Sequence, residues 1–171
     1  TCSLALLHRG EPVAAAVVSH EPRLVFTAAS DGPAELNGRP VRAAPRPPDP
    51  NTVIALTGSQ TPVLASTAQR WFLRYVLRDF GSLALHLAMV SAGMLDAAIG
   101  MKGRLWDIAA GWLLVRQAGG HVTALDELAR PKPEPLFPLD LARYRREPIP
   151  FLAASPALAE TLQRDLASAA P

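Results

Sequence analysis

The sequence predicts an α/β protein in two parts: an antiparallel sheet, followed by a lobe in which strands and helices form layers. Three observations predict it. The first 42 residues are short apolar segments separated by tight-turn signals. Residues 43–50 (AAPRPPDP) contain four prolines, which stop strands and helices, and beyond them strand-like and helix-like segments alternate. We therefore assign residues 1–44 to the remnant of an N-terminal sheet, 45–50 to a proline-rich linker and 51–171 to a C-terminal α/β lobe.

The first part is expected to be a meander, because each strand ends in a tight turn that leads directly to the next. Residues 35–41 contain Asn37-Gly38, a pair that tolerates positive φ at both positions and is typical of two-residue hairpin turns. The three strands predicted before this hairpin cover residues 3–8, 13–19 and 23–29.

The second part alternates strands with helices, which favours a sheet covered by helices on both faces. Pro62 suits the first turn of a helix, and Gly119-Gly120 is typical of a helix end. The predicted strands cover residues 52–56, 75–77, 95–99, 121–125 and 151–154. The predicted helices cover residues 61–71, 81–93, 107–118 and 156–167, and residues 129–148 are predicted to form a loop.

Composition excludes several classes of function. The net charge of +2 comes without a stripe of Lys and Arg, so we expect no nucleic-acid partner. No apolar run reaches the roughly 18 to 20 residues of a membrane span. The single Cys2 cannot form an internal disulfide, which suits a reducing, cytoplasmic setting. The chain opens at Thr1 inside an apolar segment, so we expect it to be a fragment of a longer protein.

The most informative segment is WDIAAG (106–111), followed by AGG (118–120). Asp107 lies where a helix is predicted to begin, and the small residues after it allow close packing. Its carboxylate could cap the backbone N–H groups of the helix, or it could bind a hard cation that prefers oxygen ligands. Spacing alone leaves both roles open. Ser82, at the start of the preceding helix, could be a plain N-cap.

This segment resembles the second signature of the inositol monophosphatase family, in which tryptophan–aspartate opens a helix. Residues 81–96 (GSLALHLAMVSAGMLD) are similar to the family's preceding helix and strand, and LNGRPV (36–41) is similar to strands that follow its first signature. The resemblance extends from Ser3 to the last helix. It implies a layered, sugar-phosphatase-like fold.

The resemblance also implies a set of site residues. Asp107 would be a ligand of catalytic Mg²⁺. Gly81, Ser82 and Leu83 would line the alcohol part of a small phosphorylated substrate, and Ser59 would face that substrate from the loop after a strand. In the family, magnesium activates a water for in-line attack on a phosphate monoester and stabilises the leaving alkoxide. Relatives are often dimers, so a homodimer is expected.

The sequence departs from the family pattern at several positions. Gly100 stands where members that prefer inositol phosphate carry a glutamate, and His86, for which we expect a packing or surface role, replaces a more usual Asp or Asn. We expect Asp96 to be a structural turn carboxylate. The family's glutamate-rich segment and its Asp-Pro-x-Asp-Gly-Thr signature, which supply the other metal ligands and the water-activating residues, are not found in this sequence.

Two hypotheses of different classes follow. In the first, the chain is the C-terminal part of a magnesium-dependent phosphomonoesterase. Because one carboxylate holds Mg²⁺ weakly, the chain by itself is then expected to be inactive. In the second, it is a degenerate family member that binds a partner or a sugar phosphate without catalysis. An unrelated α/β binding domain ranks third, because no Gly-x-Gly-x-x-Gly follows a strand.

Overall fold

The computed structural model of the protein describes residues 1–45, 47–57, 62–144 and 147–168. Its first sheet is the predicted antiparallel meander, with five strands that pair in chain order. These strands are β1 (Cys2–His8), β2 (Glu11–Ser19), β3 (Leu24–Ala29), β4 (Glu35–Leu36) and β5 (Arg39–Pro40).

Two local features set the register of this sheet. Asn37 and Gly38 have φ of 51° and 74° and join the pair Leu36↔Arg39, so the predicted hairpin turn is confirmed. The second strand begins at Glu11 and includes Pro12, although the prediction placed Pro12 in the turn before the strand. Pro12 pairs with Leu7 next to a register irregularity, where a residue without an N–H is tolerated.

The second sheet is mixed and has the strand order β7-β6-β8-β10-β9. Strands β6 and β7 are parallel, as are β6 and β8, whereas β10 is antiparallel to both of its neighbours. Its strands are β6 (Val53–Leu56), β7 (Val76–Arg78), β8 (Ala97–Gly100), β9 (His121–Ala124) and β10 (Phe151–Ala154). The prediction that the two parts of the chain form different sheets is confirmed.

The helices are α1 (Pro62–Phe72), α2 (Leu83–Ser91), α3 (Leu105–Gln117), α4 (Leu141–Tyr144) and α5 (Pro156–Ala167). The four-residue α4 lies inside the segment predicted as loop. Helix α2 begins two residues after the predicted Gly81, because Gly81 has φ of 71° and Ser82 is the N-cap. Helix α3 begins two residues before the predicted Asp107, so Asp107 is the third helical residue and not the first. No helix in the described ranges is both long enough and apolar enough to cross a bilayer.

Helices α2 and α3 lie between the two sheets. One side of the pair packs on the first sheet, around Val17, Phe26 and Leu114, and the other side packs on the second sheet, around Leu87 and Phe151. Helix α2 can be covered on both sides because its sequence, LALHLAMVS, is apolar nearly all round.

Helices α1 and α5 cover the remaining face of the second sheet, around Ile54, Trp71 and Leu158. The prediction that helices cover both faces of this sheet is therefore confirmed. The layers run from the first sheet through α2 and α3 to the second sheet, and then to α1 and α5.

Helices α2 and α3 approach each other very closely. A Cβ atom built on Gly111 would lie 2.3 Å from the Cβ of Leu87, so the glycine leaves room for the neighbouring helix. The small residues after Asp107 thus have the packing role that the sequence predicted. This contact also fixes where the first turns of the two helices lie relative to each other.

Candidate active site

A cleft of about 440 Å³ lies at one edge of the second sheet. Strands β6, β7 and β8 are parallel, so their carboxyl ends meet at the same edge. Helix α2 begins shortly after β7, and helix α3 begins shortly after β8. Open α/β sheets bind ligands at this end of their strands. The cleft is lined by Thr57, Asp79, Gly81, Ser82, Leu83, Lys102 and Asp107.

Asp107 both caps helix α3 and lines the cleft. Its Oδ2 accepts a hydrogen bond of 2.9 Å from the backbone N–H of Arg104, the N-cap residue, and the side chain is half-buried. A carboxylate has about four lone-pair positions, so this bond leaves capacity to bind a cation. The two roles that the sequence left open are therefore compatible with each other.

The turn before helix α2 forms another wall of the cleft and is held by three side chains. Asp79 Oδ1 accepts from the N–H of Gly81 at 2.7 Å, and Ser82 Oγ accepts from the N–H of Leu85 at 3.3 Å. His86 Nε2 accepts from the N–H of Phe80 at 2.9 Å. Gly81 is required at its position because its φ of 71° is rarely adopted by other residues.

His86 is the buried histidine of helix α2. Its exposed fraction is 0%, so the packing role that we expected is confirmed and the surface alternative is wrong. Burial lowers the pKa of His86, and the nearby Asp79 carboxylate opposes this shift. The Phe80 ring packs edge-on against the imidazole, with the ring centroids 5.8 Å apart.

Leu83 forms one wall of the cleft, and buried Gly100 lies behind it. A Cβ atom on Gly100 would lie 2.7 Å from Leu83 Cδ2 and 2.9 Å from Phe151 Cε1. The Leu83 side chain therefore fills the space into which a side chain at position 100 would extend. Exposed Lys102 adds a positive charge beside this apolar wall.

The structure brings together four of the five residues predicted for the site, namely Gly81, Ser82, Leu83 and Asp107. Ser59 lies outside the described residues. Thr57, two positions before it, does line the cleft. Asp96, predicted to be structural, is buried and accepts from the N–H of Val53 at 2.7 Å, which confirms that role.

Sequence reasoning missed three lining residues: Thr57, Asp79 and Lys102. Each follows one of the parallel strands β6, β7 and β8. The signal that could have found Asp79 is its position two residues before Gly81, a spacing typical of turns closed by an Asp side chain.

The residues present match only part of a magnesium site. Asp107 offers the hard oxygen ligand that Mg²⁺ prefers, in an open cleft. The residues that the structure describes contain no group of three or more His, Cys, Asp or Glu side chains placed to hold a metal ion. Asp107 therefore fits one ligand position of a site that needs further ligands.

The sequence matches the family model described as "Inositol monophosphatase family" over residues 1–164. It is 36% identical over 138 residues to the inositol-1-monophosphatase of Rhizobium meliloti, which covers 75% of this chain and 51% of that protein. It is 36% identical over 126 residues to the Nus factor SuhB of Xylella fastidiosa, covering 70% of this chain and 46% of that protein. The chain thus spans about half the length of these relatives.

Solved structures show the same architecture. The extragenic suppressor protein SuhB of Bartonella henselae superimposes with a TM-score of 0.79 and 28% identity, over 96% of this chain and 60% of that one. The inositol monophosphatase of Anabaena superimposes with a TM-score of 0.77 over 99% of this chain and 64% of that one. At 24% identity, the second comparison supports the fold alone.

Proposed function

Because the chain belongs to the inositol monophosphatase family, we propose that it carries the leaving-group side of the active site of a magnesium-dependent phosphomonoesterase. Its substrate would be a small phosphorylated alcohol or sugar. The expected products are the alcohol and inorganic phosphate, formed without a phosphoenzyme.

The observation that supports this proposal is that Asp107 and the start of helix α2 line one open cleft. A carboxylate used only for capping could lie anywhere on the surface. This one lies beside Gly81, Ser82 and Leu83, the residues that the family resemblance places next to the substrate's alcohol. The close packing of Gly111 on Leu87 holds the two helix starts in this arrangement.

Magnesium bound at Asp107 would activate the attacking water and stabilise the leaving alkoxide. Asp107 would contribute one carboxylate oxygen while its Oδ2 remains bonded to the Arg104 N–H. The remaining ligands would come from the substrate phosphate, from water and from parts of the protein outside this chain. By itself, therefore, this chain is expected to bind Mg²⁺ weakly and to be inactive.

The wall formed by Leu83, with buried Gly100 behind it, bears on the substrate. It presents aliphatic carbon where a glutamate could otherwise accept a sugar hydroxyl, and Lys102 lies at its edge. We propose an alcohol that packs an apolar face on Leu83, and we expect a second anionic group on the substrate to favour binding through Lys102. An inositol phosphate, which has hydroxyls all round its ring, fits this wall poorly.

The test uses the longer parent protein of which we propose that this chain is the C-terminal part, here called the full-length protein and, when unsubstituted, the native protein. It compares two Asp→Asn variants of that purified protein. Asp107→Asn keeps an oxygen that can accept from the Arg104 N–H but loses the charge. Asp126→Asn is the matched control, because the Asp126 carboxylate caps a separate turn at Leu128 and Arg130. We expect a panel of phosphomonoesters with Mg²⁺ to be hydrolysed by the native protein and by Asp126→Asn.

Loss of a metal ligand should reduce kcat/KM of Asp107→Asn by on the order of 100-fold or more, since even the partners of ligands are worth 10- to 100-fold. Unchanged turnover in Asp107→Asn would refute the role of Asp107. If the well-folded native protein hydrolysed none of the esters, the phosphatase proposal itself would fail.

A partner-binding function remains the second candidate. Several relatives are named as Nus factors and not as phosphatases. For this chain, the expectation of no nucleic-acid partner rests on the weak net charge and stays a prediction. A folded native protein with no turnover, which co-purifies with a defined macromolecular partner, would favour this second function.

Location and assembly are also proposed. The single, exposed Cys2 suits the cytoplasm. The family resemblance supports a homodimer. Exposed Phe72, the last residue of α1, and Leu73 after it offer apolar surface for such a contact. Light scattering of the purified protein would measure its assembly state, and a monomer across the micromolar range would contradict the dimer.

A further inference from the structure

His86 lies directly beneath the turn that lines the cleft. It belongs to helix α2 and is fully buried, yet its Nε2 reaches back to accept the N–H of Phe80 at 2.9 Å. Phe80 lies between Asp79 and Gly81, both of which line the cleft. A side chain inside the protein thus holds the backbone of a substrate-facing turn.

This hydrogen bond defines the protonation state of the imidazole. A ring nitrogen that accepts from an N–H cannot carry a proton, so the proton of neutral His86 must be on Nδ1. Among the residues that the structure describes, buried Nδ1 has no hydrogen-bond partner. An unsatisfied buried donor costs stability, so an apolar side chain would suit this position better on packing grounds alone.

The surroundings of His86 contain one charged group that matters. Helix α2 packs against α3, β2, β8 and β10, but within the described ranges the carboxylate that acts on His86 is Asp79, from the turn itself. Asp79 Oδ1 lies 3.8 Å from Nε2, and the same oxygen accepts from the Gly81 N–H at 2.7 Å. Nε2 therefore faces a backbone donor and a carboxylate at once.

We propose that His86 is a positioning residue that sets the shape of the Asp79–Ser82 turn, and that proton uptake at Nε2 releases this turn. In the neutral form, Nε2 holds the Phe80 N–H. When Nε2 takes up a proton from solvent, it can no longer accept a hydrogen bond. It then donates to Asp79 Oδ1 and competes with the Gly81 N–H for that oxygen. This inference rests on the proposed function, because it assigns the turn to substrate binding.

Two variants separate positioning from packing. His86→Gln places a side-chain oxygen about as far from the backbone as Nε2 of histidine. This oxygen can accept from the Phe80 N–H but cannot be protonated between pH 5 and pH 8. His86→Leu fills the space without an acceptor. With the most rapidly hydrolysed phosphomonoester, kcat and KM would be measured between pH 5 and pH 8 for the native protein and both variants.

We expect KM of the native protein to rise as the pH falls. His86→Leu should raise KM by about three- to tenfold at neutral pH, the equivalent of one hydrogen bond. His86→Gln should keep KM within about twofold of native at neutral pH and lose the rise in acid, since its amide does not titrate. A KM for His86→Gln as high as that of His86→Leu, or an unchanged KM for His86→Leu, would overturn the proposal.

A second readout does not depend on turnover. Nitrogen NMR of the imidazole should show the proton on Nδ1, and the Phe80 amide should exchange with solvent more slowly in the native protein than in His86→Leu. Equal exchange rates would overturn the positioning role even if the protein is a phosphatase. Slow exchange of the Phe80 amide in a protein without turnover would support the positioning role of His86 and refute the proposed phosphatase function.

Discussion

Replacing Gly111 by alanine tests the close contact that places the two helix starts side by side. Gly111 lies inside helix α3, where alanine is favoured over glycine by about 1 kcal/mol through helix propensity alone. Propensity therefore predicts that Gly111→Ala stabilises the protein, whereas packing predicts the opposite. The sign of the change separates the two effects.

The structure gives the size of the packing effect. The new methyl group would lie 2.3 Å from Leu87 Cβ and 2.7 Å from Leu87 Cδ1, whereas ordinary contacts are 3.4–4 Å. Leu87 is fully buried, and a Cβ atom cannot move away by a rotamer change, so helices α2 and α3 must separate. Overpacking costs about 1–3 kcal/mol, and contacts as short as these place the cost near the upper end of that range. After the gain in helix propensity, the free energy of unfolding should fall by about 2 kcal/mol.

Urea and thermal denaturation of the purified protein measure this change. For a protein of this size, a loss of about 2 kcal/mol lowers Tm by roughly 4–8 °C. Gly32→Ala is the control, because no atom lies within 4 Å of its added Cβ and its φ is not positive, so we expect its stability to be close to native. A Gly111→Ala variant as stable as native, or more stable, would refute the packing argument.

Three further changes test other parts of the site. Gly100→Glu should not by itself confer hydrolysis of inositol phosphates, because the new Cβ would lie 2.7 Å from Leu83 Cδ2 and 2.9 Å from Phe151 Cε1. Leu83→Ala removes two of the three closest contacts, so the double variant should have a higher kcat/KM than either single variant, and equal values would contradict this. Ser82→Ala removes the N-cap bond to Leu85 and should cost about 1 kcal/mol in thermal denaturation, whereas an unchanged Tm would show that the cap contributes nothing. Burial lowers the pKa of His86, so the unfolded chain takes up a proton first as the pH falls below the ordinary value of 6.5. The free energy of unfolding should therefore fall in acid and fall less in His86→Leu, and equal slopes would exclude this cause.

The parts of the fold that depend on local chemistry could be predicted from the sequence. Asn37-Gly38 forms its turn because few residue pairs adopt two positive φ angles, and Pro62 begins a helix because its missing N–H costs nothing there. The capping role of Asp107 was also predictable, although its position in the helix was off by two residues.

The cleft itself could be predicted only through the family resemblance. Thr57, Asp79 and Lys102 come together because β6, β7 and β8 are parallel neighbours, and strand order is a long-range property that local patterns do not encode. The contact of His86 with Phe80 likewise depends on how the chain turns back onto helix α2.

The start of helix α2 shows how a boundary error hides a site. The predicted helix included residues 81 and 82. The positive φ of Gly81 and the capping hydrogen bond of Ser82 place both residues in the turn before the helix. Both residues therefore line the cleft instead of forming a helical turn.

We propose that the cleft shared by Asp107 and the Asp79–Ser82 turn binds a divalent cation. Mn²⁺ suits the same oxygen ligands as Mg²⁺, and its unpaired electrons broaden the NMR signals of nearby amides even when binding is weak. Titrating Mn²⁺ into the full-length protein should broaden the amides of Gly81, Ser82 and Asp107 first, and Asp107→Asn should abolish this effect. Broadening centred on Asp126, Glu127 and Glu134, which line a separate cavity, with the amides of the cleft unaffected, would contradict the assignment of the site.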